Sequence, residues 1–192
     1  MSDALPAPDP TGTVEPPRPR RRALALAGLG GVSLAAAAGL VHLNRSPAPS
    51  GPATLPAIAY PIIDGRRIGP ETLKGRVVLV NFWATSCAVC VAEMPVLTEL
   101  YDAYRPRGLE LLAVAMPYDR PDHVLHFAAT RKLAFPVALD PVGDAVRAWG
   151  GVEATPLTWL VAPDGRVLRG WYGRPEVARL RRELDALLPA RG

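Results

Sequence analysis

The run Val77–Trp83, Val-Val-Leu-Val-Asn-Phe-Trp, is apolar at every position but Asn81, and four residues later comes Cys87-Ala88-Val89-Cys90. Such a run suits a central strand covered on both faces. Behind the cysteines, Met94, Leu97, Tyr101 and Tyr104 fall at helical spacing and predict a helix. A doubly covered strand feeding a helix requires layers on both sides of a sheet, and the rest of the chain supplies them. Leu109–Val114 predicts a second buried strand, Pro121–Lys132 a helix with Val124, Phe127 and Ala128 inward, Val137–Leu139 a short strand and Asp144–Trp149 a short helix. Leu157–Val161 and Val167–Tyr172 flank the turn signal Pro163-Asp164-Gly165 and predict a hairpin; Ile62–Ile68 predicts another around Asp64-Gly65. A last helix, opened by Pro175, carries Val177, Leu180, Leu184 and Leu187 on one face. Alternating strands and helices place the domain, residues 58–192, in the α/β class.

Ahead of that domain the composition changes sharply. Residues 1–22 hold six of the 22 prolines and end in Arg18, Arg20, Arg21 and Arg22; they carry too little apolar surface to fold and predict a disordered cytoplasmic tail. Residues 23–43 contain no Asp, Glu, Lys or Arg. As a helix they would span about 31 Å, close to the hydrocarbon thickness of a bilayer. The preceding arginines orient such a segment as a single-pass signal anchor, with the domain outside the cytoplasm, in the periplasm of a bacterial inner membrane. The alternative is a cleaved export signal, since Arg20-Arg21-Arg22-Ala23-Leu24 loosely resembles a twin-arginine signal. Residues 44–57, with Pro47, Pro49, Pro52 and Pro56, predict a stiff extended linker. The formal net charge of +4 is spread among mixed acids and bases, which argues against a nucleic-acid partner.

The chain has only two cysteines, both in this motif, which excludes a four-cysteine zinc site and a disulfide-stapled mini-domain. A cysteine at the first turn of a helix faces unsatisfied N–H groups and the positive end of the helix dipole, both of which favour the thiolate. Cys87 is therefore the expected nucleophile. Cys90, one turn on, can reach back to close a small disulfide ring and is the expected resolving thiol. Half a zinc site or an inert local disulfide are the bland readings of the same pair. Zinc would need His123 and His126, which fall on a different helix and read as surface residues; no metal is expected.

The stretch Val80–Pro95, with Phe82-Trp83-Ala84, Cys87, Cys90, Glu93 and Pro95, followed by Phe135-Pro136-Val137, Thr155-Pro156 and Asp164-Gly165, resembles the thioredoxin-like superfamily. Within it the chain is similar to the TlpA/ResA-like branch of membrane-tethered thiol–disulfide oxidoreductases. The resemblance covers nearly all of the folded part and implies a three-layer sandwich about a central mixed β-sheet. It implies that Pro156 is a cis-proline beside the cysteine pair and that Thr155 and Trp83 lie on the substrate side, Trp83 packing at the rim or simply in the core. It implies that Pro95 bends the active-site helix. Glu93 matches an acidic residue of the branch; on the same helical face as Cys90, and if buried, it would raise thiol pKa values and pass protons. Two positions depart from the pattern. Asn81 stands where thioredoxin carries a buried Asp, and Ser86 replaces the usual Trp before the first cysteine, which leaves Thr85 or Ser86 to cap the helix.

Neither Ala88 nor Val89 offers the donor or cation that stabilises a thiolate in strong oxidants, and Glu93 opposes one. The expected activity is thus reduction of protein disulfides by the Cys87–Cys90 dithiol, with no cofactor beyond that pair. The resemblance implies a transmembrane thiol reductase of the DsbD/CcdA type as electron donor. It implies protein clients such as apocytochrome c or the copper-site thiols of oxidases. A dithiol oxidant or isomerase, and a Cu(I)-handling chaperone, are the competing uses of the same two sulfurs.

Overall fold

A computed structural model of the chain describes residues 49–190. The segments read as a cytoplasmic tail (1–22) and a transmembrane anchor (23–43) lie outside the described residues, as does the first part of the linker. Among the described residues no helix is long and apolar enough to cross a membrane.

Strands β1 (Tyr60–Pro61) and β2 (Arg67–Ile68) pair antiparallel around the Asp64-Gly65 turn, where Gly65 takes φ +87°. A single turn of helix, α1 (Pro70–Leu73), leads into β3 (Val77–Trp83). Then follow α2 (Ala88–Tyr104), β4 (Leu109–Ala115), α3 (Pro121–Arg131), β5 (Val137–Leu139), α4 (Asp144–Ala148), β6 (Leu157–Val161), β7 (Val167–Tyr172) and α5 (Val177–Leu187). The main sheet has the order β5-β4-β3-β6-β7, with β3, β4 and β5 parallel and β6 and β7 antiparallel to their neighbours. It is a mixed sheet with β3 at its centre.

All seven residues of β3 are buried, and the strand's two-residue period sorts them into two cores. Val77, Leu79 and Trp83 pack with Met94, Leu97 and Leu100 of α2, Val124 of α3 and Leu180 and Leu184 of α5. Val78, Val80 and Phe82 pack with Tyr60, Leu73, Trp149 and Trp159 on the opposite face. Trp149 stacks on Trp159 at 5.6 Å, and its indole N–H donates to the Tyr60 hydroxyl at 2.7 Å. These are the three layers of a thioredoxin-like sandwich.

Three expectations are corrected. The second half of the linker is docked rather than extended free of the domain: Leu55 N–H donates to Gly165 O, Val167 N–H donates to Ala53 O, and Thr54 bridges Arg166. Those bonds cap the open edge of β7 and its turn, so the ordered unit begins before residue 58. Pro175 does not open α5. It is buried ahead of the helix, whose cap is Glu176, with a carboxylate accepting from the N–H groups of Ala178 and Arg179. Neither Thr85 nor Ser86 caps α2; that position belongs to Cys87.

Candidate active site

The central strand delivers the chain to the carboxyl end of the sheet, where β3 stops and α2 begins. Cys87 is extended at φ −89°, ψ 102°, and its Sγ accepts from the Cys90 N–H at 3.2 Å. A sulfur is thus the cap of this helix, with one N–H of the first turn aimed at it, an arrangement that favours a thiolate there. Cys87 is half-buried and Cys90 fully buried, and the two are joined in a disulfide with Cα atoms 5.2 Å apart. Only the first sulfur can meet a partner, which gives the two cysteines different roles. The helix continues through Pro95, whose missing N–H leaves the Val91 carbonyl without its intrahelical donor.

The Thr155–Pro156 bond is cis, and the Thr155 carbonyl lies 3.6 Å from Cys87 Sγ. Pro156 is buried at the start of β6 and its carbonyl accepts from Gly173 N–H at 2.8 Å. The structure therefore brings Cys87, Cys90, Thr155 and Pro156 together from parts of the chain almost 70 residues apart.

Glu93 is 2% exposed, beneath the cysteine pair on the inner face of α2. Its Oε1 accepts from Asn81 Nδ2 at 2.9 Å; Oε2 has no partner. The same Asn81 amide donates to Thr158 Oγ1 at 2.9 Å. Burial pushes the Glu93 carboxyl up to about 7, against the smaller downward pull of the Asn81 hydrogen bond and the Arg174 charge. Near neutral pH it can hold or give up a proton.

Of the two expected places for Trp83, the rim of the site and the core, the structure shows the core. It is 0% exposed and packs against Phe127 with ring centroids 5.1 Å apart, so it floors the site and presents nothing to a client. Two residues of the site were missed from sequence. Asp119 accepts from both the N–H and the hydroxyl of Thr85 at 2.6 Å, holding the turn that precedes Cys87. Thr158 sits opposite Asn81 in the β3–β6 register. A signal for it existed, since Asn81 and Thr158 are each the lone polar residue of an otherwise apolar strand. Among the described residues no group of three His, Cys, Asp or Glu side chains converges as a metal site. His123 and His126 are exposed on α3.

The profile of the AhpC/TSA family matches residues 53–169. The chain belongs to this thioredoxin-like family. Within it, the chain is 34% identical over 128 residues to the thiol–disulfide oxidoreductase ResA of Bacillus thuringiensis subsp. konkukian, covering 66% of this chain and 72% of that one. A solved Neisseria meningitidis protein, assigned as a thioredoxin, is 31% identical with a TM-score of 0.66 over 70% of this chain and 89% of its own. A Chlorobium tepidum protein assigned as the thiol:disulfide interchange protein DsbE is 27% identical with a TM-score of 0.64, over 72% and 99%. Family, fold and the Cys87–Cys90 disulfide agree: this AhpC/TSA-family chain is a thiol–disulfide oxidoreductase of the ResA-like branch.

Proposed function

We propose that the enzyme works as a reductase of protein disulfides. The observation that carries this reading is the buried Glu93, one turn along the helix from Cys90 of a cysteine pair with no cation between its two members. A strong oxidant needs a stabilised thiolate. Here the intervening Ala88 and Val89 are exposed and apolar, and the nearest buried ionisable group on the helix is an acid. An anion there opposes a second anion on sulfur and favours the oxidised pair. The dithiol is then a strong electron donor.

In the proposed cycle the Cys87 thiolate attacks one sulfur of a client disulfide. A mixed disulfide forms and the client's other sulfur leaves as a thiolate. Cys90 then loses its proton, with Glu93 as the acceptor within the fold, and attacks Cys87 Sγ. The client's second thiolate leaves, the client has gained two electrons, and Cys87–Cys90 is oxidised. The half-buried Thr155 backbone beside Cys87, ahead of the cis-Pro156, gives an extended client segment a place to lie. Re-reduction falls to a membrane thiol reductase of the DsbD/CcdA type. Residues 23–43 anchor the enzyme outside the cytoplasm, with apocytochrome c or oxidase copper-site thiols as clients. The cysteine pair is the sole redox group in this scheme.

The test is the reduction potential of the pair. It should fall nearer to the value of thioredoxin, about −270 mV, than to that of DsbA, about −120 mV. A value at the DsbA end would make the enzyme an oxidant. Cys90→Ser should also leave clients covalently held on Cys87 in cells, whereas Cys87→Ser should hold none.

A further inference from the structure

Next to Cys87 the surface opens into a groove of about 720 Å³ between the Thr85–Ser86 turn and α3. Ser86, His123, His126, Phe127, Thr130 and Arg131 line it. The charged groups around it are unequally committed. Asp122 is held by Arg120 through two hydrogen bonds, at 3.0 and 2.8 Å, and Asp119 is occupied by Thr85. Arg131 lies over the Phe127 ring at 5.6 Å, and no carboxylate among the described residues pairs with it. His126 Nε2 and Thr130 Oγ1 lie 3.5 Å apart and engage each other, so what the groove leaves unspent is a guanidinium stacked on an aromatic ring, the exposed His123 imidazole and the Ser86 hydroxyl. Of the nearby acids, Asp122 is paired with Arg120, while Asp119 keeps its charge with both oxygens turned to Thr85 and does not line the groove. An arginine held in this way is suited to a carboxylate.

From this we propose that the groove is a specificity subsite for clients carrying an acidic residue close to the attacked cysteine, with Arg131 as the residue that reads it. The proposal rests on the reading that Cys87 exchanges with protein disulfides. Ser86 is the neighbour of Cys87, so a client joined to Cys87 Sγ passes the mouth of the groove. A groove of this volume is on the order of 10 Å across, about three residues of extended chain. The acidic residue therefore belongs two to four positions from the client cysteine. The small Ser86 side chain leaves the entrance open.

The experiment uses the full-length chain and synthetic peptides of one sequence with an internal disulfide. They differ only in whether Glu, Gln or Lys stands at a position two to four residues from the attacked cysteine. The dithiol enzyme should reduce the Glu peptides fastest and the Lys peptides slowest, by roughly threefold at low salt at the best position, and the difference should shrink in high salt. Arg131→Gln should erase the order and Arg131→Glu should reverse it. The same peptides as dithiols, offered to the oxidised enzyme, should keep the order, so the preference is read whichever way electrons flow. Equal rates for all peptides, or an order that survives Arg131→Glu, would overturn the subsite and leave the exchange chemistry standing. Failure of every peptide to exchange in both directions would overturn both.

Discussion

A carboxylic acid with 2% exposure and one unpartnered oxygen is costly to ionise, and Glu93 is the clearest chemical statement in this molecule. Its carboxyl titrates near 4.5 in an unstructured chain and near 7 in the fold. The fold therefore prefers the protonated form. Below pH 4.5 the group costs nothing; from 4.5 to 7 the penalty of ionising it grows; above 7 it is complete, of order 3 kcal/mol at about 1.4 kcal/mol per unit. Glu93→Gln keeps the oxygen that accepts from Asn81 and cannot ionise. In the oxidised enzyme, where neither cysteine titrates, urea unfolding at pH 5 and pH 8 should show the wild type losing stability and the variant holding it. The variant should be more stable at pH 8 by about 1–3 kcal/mol. Equal slopes for the two proteins would mean that Glu93 is not the titrating group.

The elements were legible where a pattern is local. The seven-residue apolar run, the two Asp-Gly turns and the spacing of Leu180 and Leu184 each decide their own structure within a few residues, and the structure keeps them. The same holds for the cysteine motif, because strand, turn and helix are contiguous. What was not legible depends on neighbours distant in sequence. Thr85 is not free to cap α2 because Asp119, 34 residues on, takes its N–H and its hydroxyl. Trp83 is buried because Phe127 covers it. Residues 53–55 are docked because the β7 turn offers unpaired backbone groups, which a proline-rich composition does not reveal. The Asp119 contact predicts a separable effect. Asp119→Ala leaves the Thr85 N–H without its acceptor and frees the turn before Cys87; stability should fall by about 1–3 kcal/mol and the rate of mixed-disulfide formation should fall with it. Tyr60→Phe acts at the other core. It leaves the buried Trp149 N–H unpaired at a similar cost, about 1–3 kcal/mol, and should leave the reduction potential unchanged because it changes neither charge nor hydrogen bonding at Cys87, Cys90 or Glu93. A potential that moved in Tyr60→Phe, or a rate of mixed-disulfide formation that stayed unchanged in Asp119→Ala, would overturn the assignment of these contacts.

At the scale of the whole molecule, the potential of the cysteine pair and the stability of the fold are one quantity seen twice. Folding, unfolding, oxidation and reduction close a thermodynamic cycle. Whatever folding does to the potential of Cys87–Cys90 must therefore equal the stability difference between the oxidised and reduced enzymes, at about 1.4 kcal/mol for each 30 mV. In a strong oxidant the folded dithiol is the favoured state and reduction raises stability. In this enzyme the reduced pair would have to keep any thiolate above a buried acid, with no cation between the cysteines to offset it. Folding should therefore lower the potential, and the disulfide form should be the more stable one. Thermal unfolding of the two forms at pH 8, where Glu93 is ionised, should place the oxidised enzyme above the reduced one. The gap should narrow at pH 5, where the carboxyl is protonated, and in Glu93→Gln at either pH. A reduced enzyme more stable than the oxidised one would fix the electron flow in the opposite direction, whatever activity is measured on a chosen client.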